Sequence, residues 1–302
     1  MAVTAAMVKE LREMTGAGMM DCKKALSNTD GDMDKAVEYL RENGMAKAAK
    51  KAGRIAAEGI VKVVTEGSKA AIVEVNSETD FVAKNADFNA YVEEVAQQAL
   101  NTKASDIDGF LAESWNKDSS KTVADVLAGQ IAVIGENLKI RRFAQIEENN
   151  GFIASYIHMG GKIGVLVDVE TDVVNPAIEE MAKNVAMQAA ALKPMYTNRS
   201  EVDPEYIAKE TEIITITAKN EKPDANDKII EGMVKGRLNK ELKEICLLDQ
   251  TYVKAEDGKQ SVSAYVASVA KENSANITIK GFVRFETGEG LEKKNEDFAA
   301  EV

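Results

Sequence analysis

The chain has 302 residues, 45% of them hydrophobic, with four prolines and a formal charge of −12 from 38 Lys/Arg against 50 Asp/Glu. That length suffices for about two domains with real cores, the composition argues against a disordered or collagen-like chain, and no apolar run approaches the ~20 residues that span a bilayer. An acidic balance opposes non-specific attraction to phosphate, so neither direct DNA binding nor a membrane partner is expected.

Met1 to Arg12 interleaves apolar residues with Lys9, Glu10 and Arg12. This is unlike a signal peptide or an acid-free transit peptide, so a cytoplasmic location is the expectation. Residues 1–54 carry ten Lys/Arg against eight Asp/Glu, which places the whole acidic excess in the remainder and suggests a separate front module. Val3, Met7, Val8, Leu11 and Met14 recur at helical spacing before the glycines of Thr15-Gly16-Ala17-Gly18. Met19, Cys22, Ala25 and Leu26 give a second helix. Asp30-Gly31-Asp32 offers the cap of a third, which carries Met33, Ala36, Val37 and Leu40 and closes at Gly44. Ala46 to Arg54 reads as a basic linker, helical or extended.

From Gly59 the period changes to that of strands. Ile60–Thr65 and Ala70–Asn76 flank Glu66-Gly67-Ser68-Lys69 as a hairpin, followed by Thr79-Asp80-Phe81 and a helical stretch to Leu100. Thr122–Ile134 reads as a helix and Lys139–Ile146 as a strand. The order then repeats: Phe152–His158 and Ile163–Val169 flank a glycine turn, and Glu170-Thr171-Asp172 echoes Glu78-Thr79-Asp80 before a helix from Pro176 to Leu192. Residues 204–246 form two helices around Lys222-Pro223, an antiparallel hairpin inserted in the second half. A helix near Ser261–Ala270, a strand near Ile277–Phe285 and a short helix at Glu292–Glu301 complete an α+β chain of two similar halves.

Catalytic chemistry is sparse. Cys22 and Cys246 lack partners at metal-ligand spacing, and His158 is the only histidine, so a disulfide framework, a zinc site or a histidine relay is not expected. No P-loop is present. The pairs Glu93-Glu94 and Glu179-Glu180 occupy adjacent helical positions, which read as solvated faces rather than as an acid and base. Trp115 reads as a packing anchor. Taken as residues alone, Met19-Met20 fill the core, Asp80 caps a helix and Phe81 folds inward. The alternatives are an adaptable methionine surface and a carboxylate–ring pair that projects into another protein.

The residues Leu11-Arg12, Thr15-Gly16-Ala17-Gly18-Met19-Met20-Asp21-Cys22-Lys23-Lys24-Ala25-Leu26 and Thr79-Asp80-Phe81-Val82-Ala83-Lys84-Asn85 resemble the bacterial elongation factor Ts family. Gly135-Glu136-Asn137, Ile140-Arg141-Arg142, Gly161-Lys162-Ile163-Gly164-Val165-Leu166 and Gly281-Phe282-Val283-Arg284-Phe285-Glu286 extend the likeness over essentially the whole chain. The resemblance implies an α+β protein with a ubiquitin-associated-like three-helix module and linker at 1–54 and a core subdomain at 55–148. It further implies a second core subdomain at 149–200 and 247–287, a coiled-coil hairpin at 201–246 and a C-terminal module at 288–302. It implies guanine nucleotide exchange on the GTPase elongation factor Tu, without covalent catalysis and with no cofactor bound by this chain, the Mg²⁺ and GDP being held by the partner. It reverses the inward reading of these motifs: Asp80, Phe81, Val82 and Ala83 enter the GTPase near its Mg²⁺ site, Arg12, Met19 and Met20 dock the front module, and His158 meets another region of the partner. A homodimer through the complex or the hairpin is also implied.

Overall fold

The computed structural model describes residues 3–292. All but the first position of the expected helix at Glu292–Glu301, and most of the expected 288–302 module, lie outside the described residues.

Helices α1 (Ala5–Thr15), α2 (Met19–Asn28) and α3 (Met33–Lys51) form a cluster around Val8, Leu11, Cys22, Ala25, Leu26 and Ala36. Short polar side chains start the first and third: Thr4 accepts from the Met7 amide at 3.3 Å and Asp32 from the Lys35 amide at 3.1 Å. Gly44 does not close α3, as its type had suggested. It is buried mid-helix, because the helix-favouring run Met45-Ala46-Lys47-Ala48-Ala49-Lys50-Lys51 outweighs the ~1 kcal/mol penalty of one glycine. A Cβ at Gly44 would lie 3.7 Å from both the Ala128 carbonyl oxygen and Ala132 Cβ, so the glycine lets another helix approach closely.

That neighbour belongs to the first sheet unit. Strands β1 (Glu58–Glu66) and β2 (Lys69–Ser77) form the expected hairpin; α4 (Asp80–Ala83), α5 (Ala86–Asn101) and α6 (Ile107–Ala112) follow, then β3 (Ser114–Trp115), β4 (Asp118–Thr122), α7 (Val123–Ile134) and β5 (Lys139–Glu147). The antiparallel sheet has the order β1-β2-β5. Phe88, Val92, Val95, Phe110 and Val123 fill its core, and Trp115 anchors there beside Tyr91, ring centroids 6.5 Å apart. The reading by pattern did not include α6 or the β3–β4 ribbon, whose residues alternate too little to announce themselves.

The second unit repeats the arrangement. Strands β6 (Gly151–His158) and β7 (Ile163–Thr171) precede α8 (Pro176–Leu192), then the helical hairpin α9 (Pro204–Glu221) and α10 (Asp227–Ile245), α11 (Val262–Glu272) and β8 (Ile277–Glu286), with sheet order β6-β7-β8. The echoed Glu-Thr-Asp diverges in use: Asp172 accepts from the backbone and side chain of Asn276 at 2.8 and 2.6 Å, and Asn175 caps α8 instead.

The two sheets pack through Val61, Ala70, Ile72, Leu166 and Phe285. At their closest point the Val61 amide donates to the Gly161 carbonyl at 2.7 Å, and a Cβ on Gly164 would come within 2.5 Å of Val61 Cγ1. Beside this seam Glu74, fully buried on β2, accepts from Arg142 Nε at 2.6 Å, Arg141 Nη1 at 3.1 Å, Asn76 Nδ2 at 3.0 Å and the Gly288 amide at 2.8 Å. The Arg142 guanidinium also lies 4.3 Å over the Phe285 ring, so the ion cluster joins β2 and β5 to the end of β8.

Glu74→Gln removes the charge that two half-buried arginines share. Urea unfolding is expected to show a loss of about 3–5 kcal/mol, the usual result of orphaning a buried ion partner; a loss below about 1 kcal/mol would mean the arginines find other partners. A second prediction concerns Asp168 on β7. Burial, and then the facing Glu148 carboxylate, push its pKa up from the ordinary 3.8 to about 6, opposed by Lys280, while Glu170 adds further negative charge. Lys280 Nζ holds Glu148 Oε2 at 3.2 Å, whereas Asp168 Oδ1 is buried without a hydrogen-bond donor, so a proton on Asp168 shared with Glu148 satisfies it. Because the folded state then binds the extra proton, Asp168 favours folding more as pH falls from about 7 to about 5. The stability of the wild type relative to Asp168→Asn should therefore increase over that interval; a difference that stays flat, measured by unfolding at both pH values, would rule out the shared proton.

Candidate partner interface

The Asp80–Phe81 turn is built where β2 leaves the sheet. Thr79, in extended conformation, caps α4, its Oγ1 accepting from the Val82 amide at 3.4 Å. Asp80 is therefore not the cap. One turn later Asn85 starts α5 by accepting from the Asp87 and Phe88 amides at 2.8 and 3.1 Å, and Asn89 Nδ2 donates to the Ala83 carbonyl at 2.9 Å. A single helical turn held at both ends has one face on the core and one in water. Ala83 is buried and Val82 half-buried against the first core. Phe81 points the other way and is 81% exposed, more than any other large apolar side chain among the described residues.

The inward reading of Phe81 therefore fails. Only Asp80 and Phe81 of the four motif residues face outward. The Asp80 carboxylate accepts from Lys84 Nζ at 2.6 Å, one helical turn on, and that bond holds its pKa below the usual carboxylate range. The charge of Lys162, on the β6–β7 turn, acts in the same direction. Lys162 is itself paired with Glu58 on β1.

Behind the turn stands Glu136, just past α7. Its Oε2 accepts from the amides of Glu78 and Thr79 at 3.1 and 3.0 Å, and its Oε1 from Thr79 Oγ1 at 2.7 Å. In return Glu78 Oε1 accepts from the Asn137 amide at 2.5 Å, and Asn137 Nδ2 donates to the Arg54 carbonyl at 2.8 Å.

On the three-helix cluster, Arg12 lies exposed in the last turn of α1 while Met19 and Met20 open α2, 53% and 75% exposed. The core-filling reading of the methionines fails because Cys22, Ala25 and Leu26 already occupy that face. His158 ends β6 in an exposed position, its Nδ1 2.9 Å from the Tyr156 hydroxyl. Two exposed methionines adjoin these patches: Met14, which periodicity assigned to the apolar face of the first helix, lies beside Arg12, and Met159 lies beside His158. For Met159 the signal was present, since a residue at a turn before paired glycines is placed outward.

Glu93 pairs with Lys62 at 2.5 Å and Glu94 with Lys117 at 2.6 Å, as solvated faces do. A cavity of about 590 Å³ between α3, α7 and the α1–α2 turn has Met14, Leu40 and Val133 on its wall, and its Asp21 and Asp125 are neutralised by Lys47 and Arg41. Among the described residues, no group of three or more His, Cys, Asp or Glu is placed to hold a metal ion, and no helix is long and apolar enough to cross a membrane.

Comparison with known proteins agrees with the geometry of an interaction protein. The family model described as Elongation factor TS matches residues 78–289. Elongation factor Ts of Clostridioides difficile (strain 630) is 54% identical over 302 residues, covering 99% of this chain and 97% of the relative. Elongation factor Ts of Clostridium botulinum (strain Eklund 17B / Type B) is 52% identical over 303 residues, with 99% and 98% covered, and that of Clostridium tetani (strain Massachusetts / E88) likewise 52% with the same coverage. With a projecting acid–ring pair, two exposed methionine patches and a likeness that runs almost end to end, the chain belongs to the elongation factor Ts family.

Proposed function

We propose that this protein is a guanine nucleotide exchange factor for elongation factor Tu, acting in the cytoplasm to release GDP during polypeptide elongation. The observation that carries the reading is Phe81, a large ring held 81% exposed beside Asp80 on a turn braced from behind. Exchange makes and breaks no covalent bond, so the factor needs a rigid probe rather than a nucleophile. A factor that binds the nucleotide-free GTPase better than the GDP form must be weakened by nucleotide to the same extent, since linkage is reciprocal. In the GTPase, Mg²⁺ and backbone amides neutralise the phosphates. Phe81 wedges apart packed side chains near that site, and Asp80 sets a like charge towards the phosphates. Val82 and Ala83 serve the probe from within, as its footing on the core.

The chain is read as a ubiquitin-associated-like module with its linker (1–54), two core subdomains (55–148; 149–200 with 247–287), a coiled-coil hairpin (201–246) and a C-terminal module (288–302). The front module docks through Arg12, Met19 and Met20, with Met14 extending the surface. His158 and Met159 meet a separate region of the GTPase. Mg²⁺ and GDP stay with the partner throughout. Exposed Ile213, Ile216 and Ile229 on the helical hairpin offer the surface for pairing with a second copy.

Stopped-flow release of a fluorescent GDP analogue from elongation factor Tu tests the reading. Catalytic amounts of the wild type should accelerate release strongly, and excess GDP should dissociate the complex. Burying a phenylalanine is worth roughly 1.5–3 kcal/mol, so Phe81→Ala should slow release at saturation by about tenfold to a hundredfold. Met20→Ala, by contrast, should raise the concentration needed for half-maximal effect and leave the saturating rate nearly unchanged. A wild-type protein that binds equally well with and without GDP and leaves release unchanged would be an adaptor, and the exchange reading would fall.

A further inference from the structure

We propose that Glu136 is a positioning residue for the exchange reaction, fixing the backbone from which Asp80 and Phe81 project; the role rests on the exchange reading above. A four-residue helix does not sustain itself, because nucleation costs more than so few bonds return. An exposed phenyl ring also gains by collapsing onto the nearest apolar surface. Keeping Phe81 out in water therefore requires a turn fixed on both sides. On the C-terminal side the buried Ala83 and the Asn89-to-Ala83 bond supply that fixation. On the N-terminal side β2 has ended at Ser77, its last pairing being with Glu58, so the amides of Glu78 and Thr79 have no strand to donate to.

Glu136 takes both. A single carboxylate oxygen receives the two amides while the other receives the Thr79 hydroxyl, giving three charge-assisted bonds to the two residues before the probe. The third bond has a further effect. With its proton directed to Glu136, Thr79 Oγ1 presents its lone pairs to the Val82 amide, which is the cap that begins α4. Ser77 Oγ donates to the Thr79 carbonyl at 2.9 Å, but the two free amides and the capping hydroxyl are all set by Glu136.

Glu136 is in turn located by its surroundings. It follows Gly135, the left-handed end of α7, whose carbonyl accepts from Lys51 at the end of α3. The next residue, Asn137, binds Glu78 and the Arg54 carbonyl, while Arg54 pairs with Glu78 at 3.4 Å. Segments 78–79 and 136–137 therefore exchange carboxylate-to-amide bonds in both directions, leaning on the chain that leaves the three-helix cluster. Glu136 is half-buried, and all its bonds are made to the turn, so its influence on the GTPase runs through the geometry of Asp80 and Phe81.

The test titrates wild type, Glu136→Ala, Glu136→Gln and Glu136→Asp against elongation factor Tu loaded with a fluorescent GDP analogue, reading the saturating release rate and the half-saturating concentration separately. Glu136→Ala should lower the saturating rate about tenfold while moving half-saturation by less than about threefold. Glu136→Gln retains a carbonyl oxygen for the two amides and should recover to within about threefold of wild type. Glu136→Asp keeps the charge but falls short of the turn, so it should be slowed severalfold; it carries the test should the alanine variant not fold by thermal melting. Hydrogen exchange should show the amides of Glu78 and Thr79 less protected in the alanine variant and nearly as protected as wild type in the glutamine one. Saturating rates equal in all four proteins, or a loss seen only in the half-saturating concentration, would overturn the proposal. If the wild type itself leaves GDP release unchanged, the exchange reading fails and the role of Glu136 with it, whereas an active wild type beside an equally active alanine variant removes Glu136 alone.

Discussion

The close contact of the two sheets governs the arrangement of the molecule. Sheets normally face each other about 10 Å apart with side chains interleaved, but at Gly161 and Gly164 the second sheet comes near enough for a backbone hydrogen bond to Val61. That approach sets the β6–β7 turn against β1, where Lys162 pairs with Glu58. The buried Glu74 with Arg141 and Arg142 locks the same seam from the other side, tying β2 and β5 to the end of β8. A rotation of one sheet on the other would have to break the charge-assisted bond from the Gly288 amide to the buried Glu74 carboxylate.

On this base the two halves, though similar in plan, have diverged in what they expose. After β2 the chain enters a helical turn at once, capped by Thr79 and footed on Ala83, and Phe81 is left outside. After β7 the matching Thr171-Asp172 closes on Asn276, and the helix starts only at Pro176 behind its own cap. One half therefore carries a projection where the other carries a closed junction. The difference lies in a few hydrogen-bond partners and leaves the topology unchanged.

The three-helix cluster is connected to the same region by two routes. α3 packs on α7 across Gly44, with Arg41 paired to Asp125 at 2.6 Å, and the chain leaving α3 binds Asn137. Both routes converge on the residues that follow α7 and brace the Asp80–Phe81 turn. The exposed Arg12, Met19 and Met20 are thus mechanically continuous with the projecting pair.

The sequence by itself determined most of the elements. Apolar periodicity located nearly every long helix and the six strands of the two sheets, because burial of one face imposes period 3.6 or 2 on any stretch long enough to display it. It could not find α6 or the short β3–β4 ribbon, which rest on contacts from elsewhere, and it ended α3 at Gly44 by weighing one glycine above the helix-favouring run Met45–Lys51 that follows. The motif residues themselves were legible, through their likeness to a family. Periodicity alone did not give their orientation: whether Phe81 lies in or out depends on which atoms already fill the core and on Glu136, a side chain distant in sequence, taking the amides before it. Which residues meet is set by the chain's local preferences only as far as the next turn, and beyond that by packing, where space once occupied is closed to every other side chain.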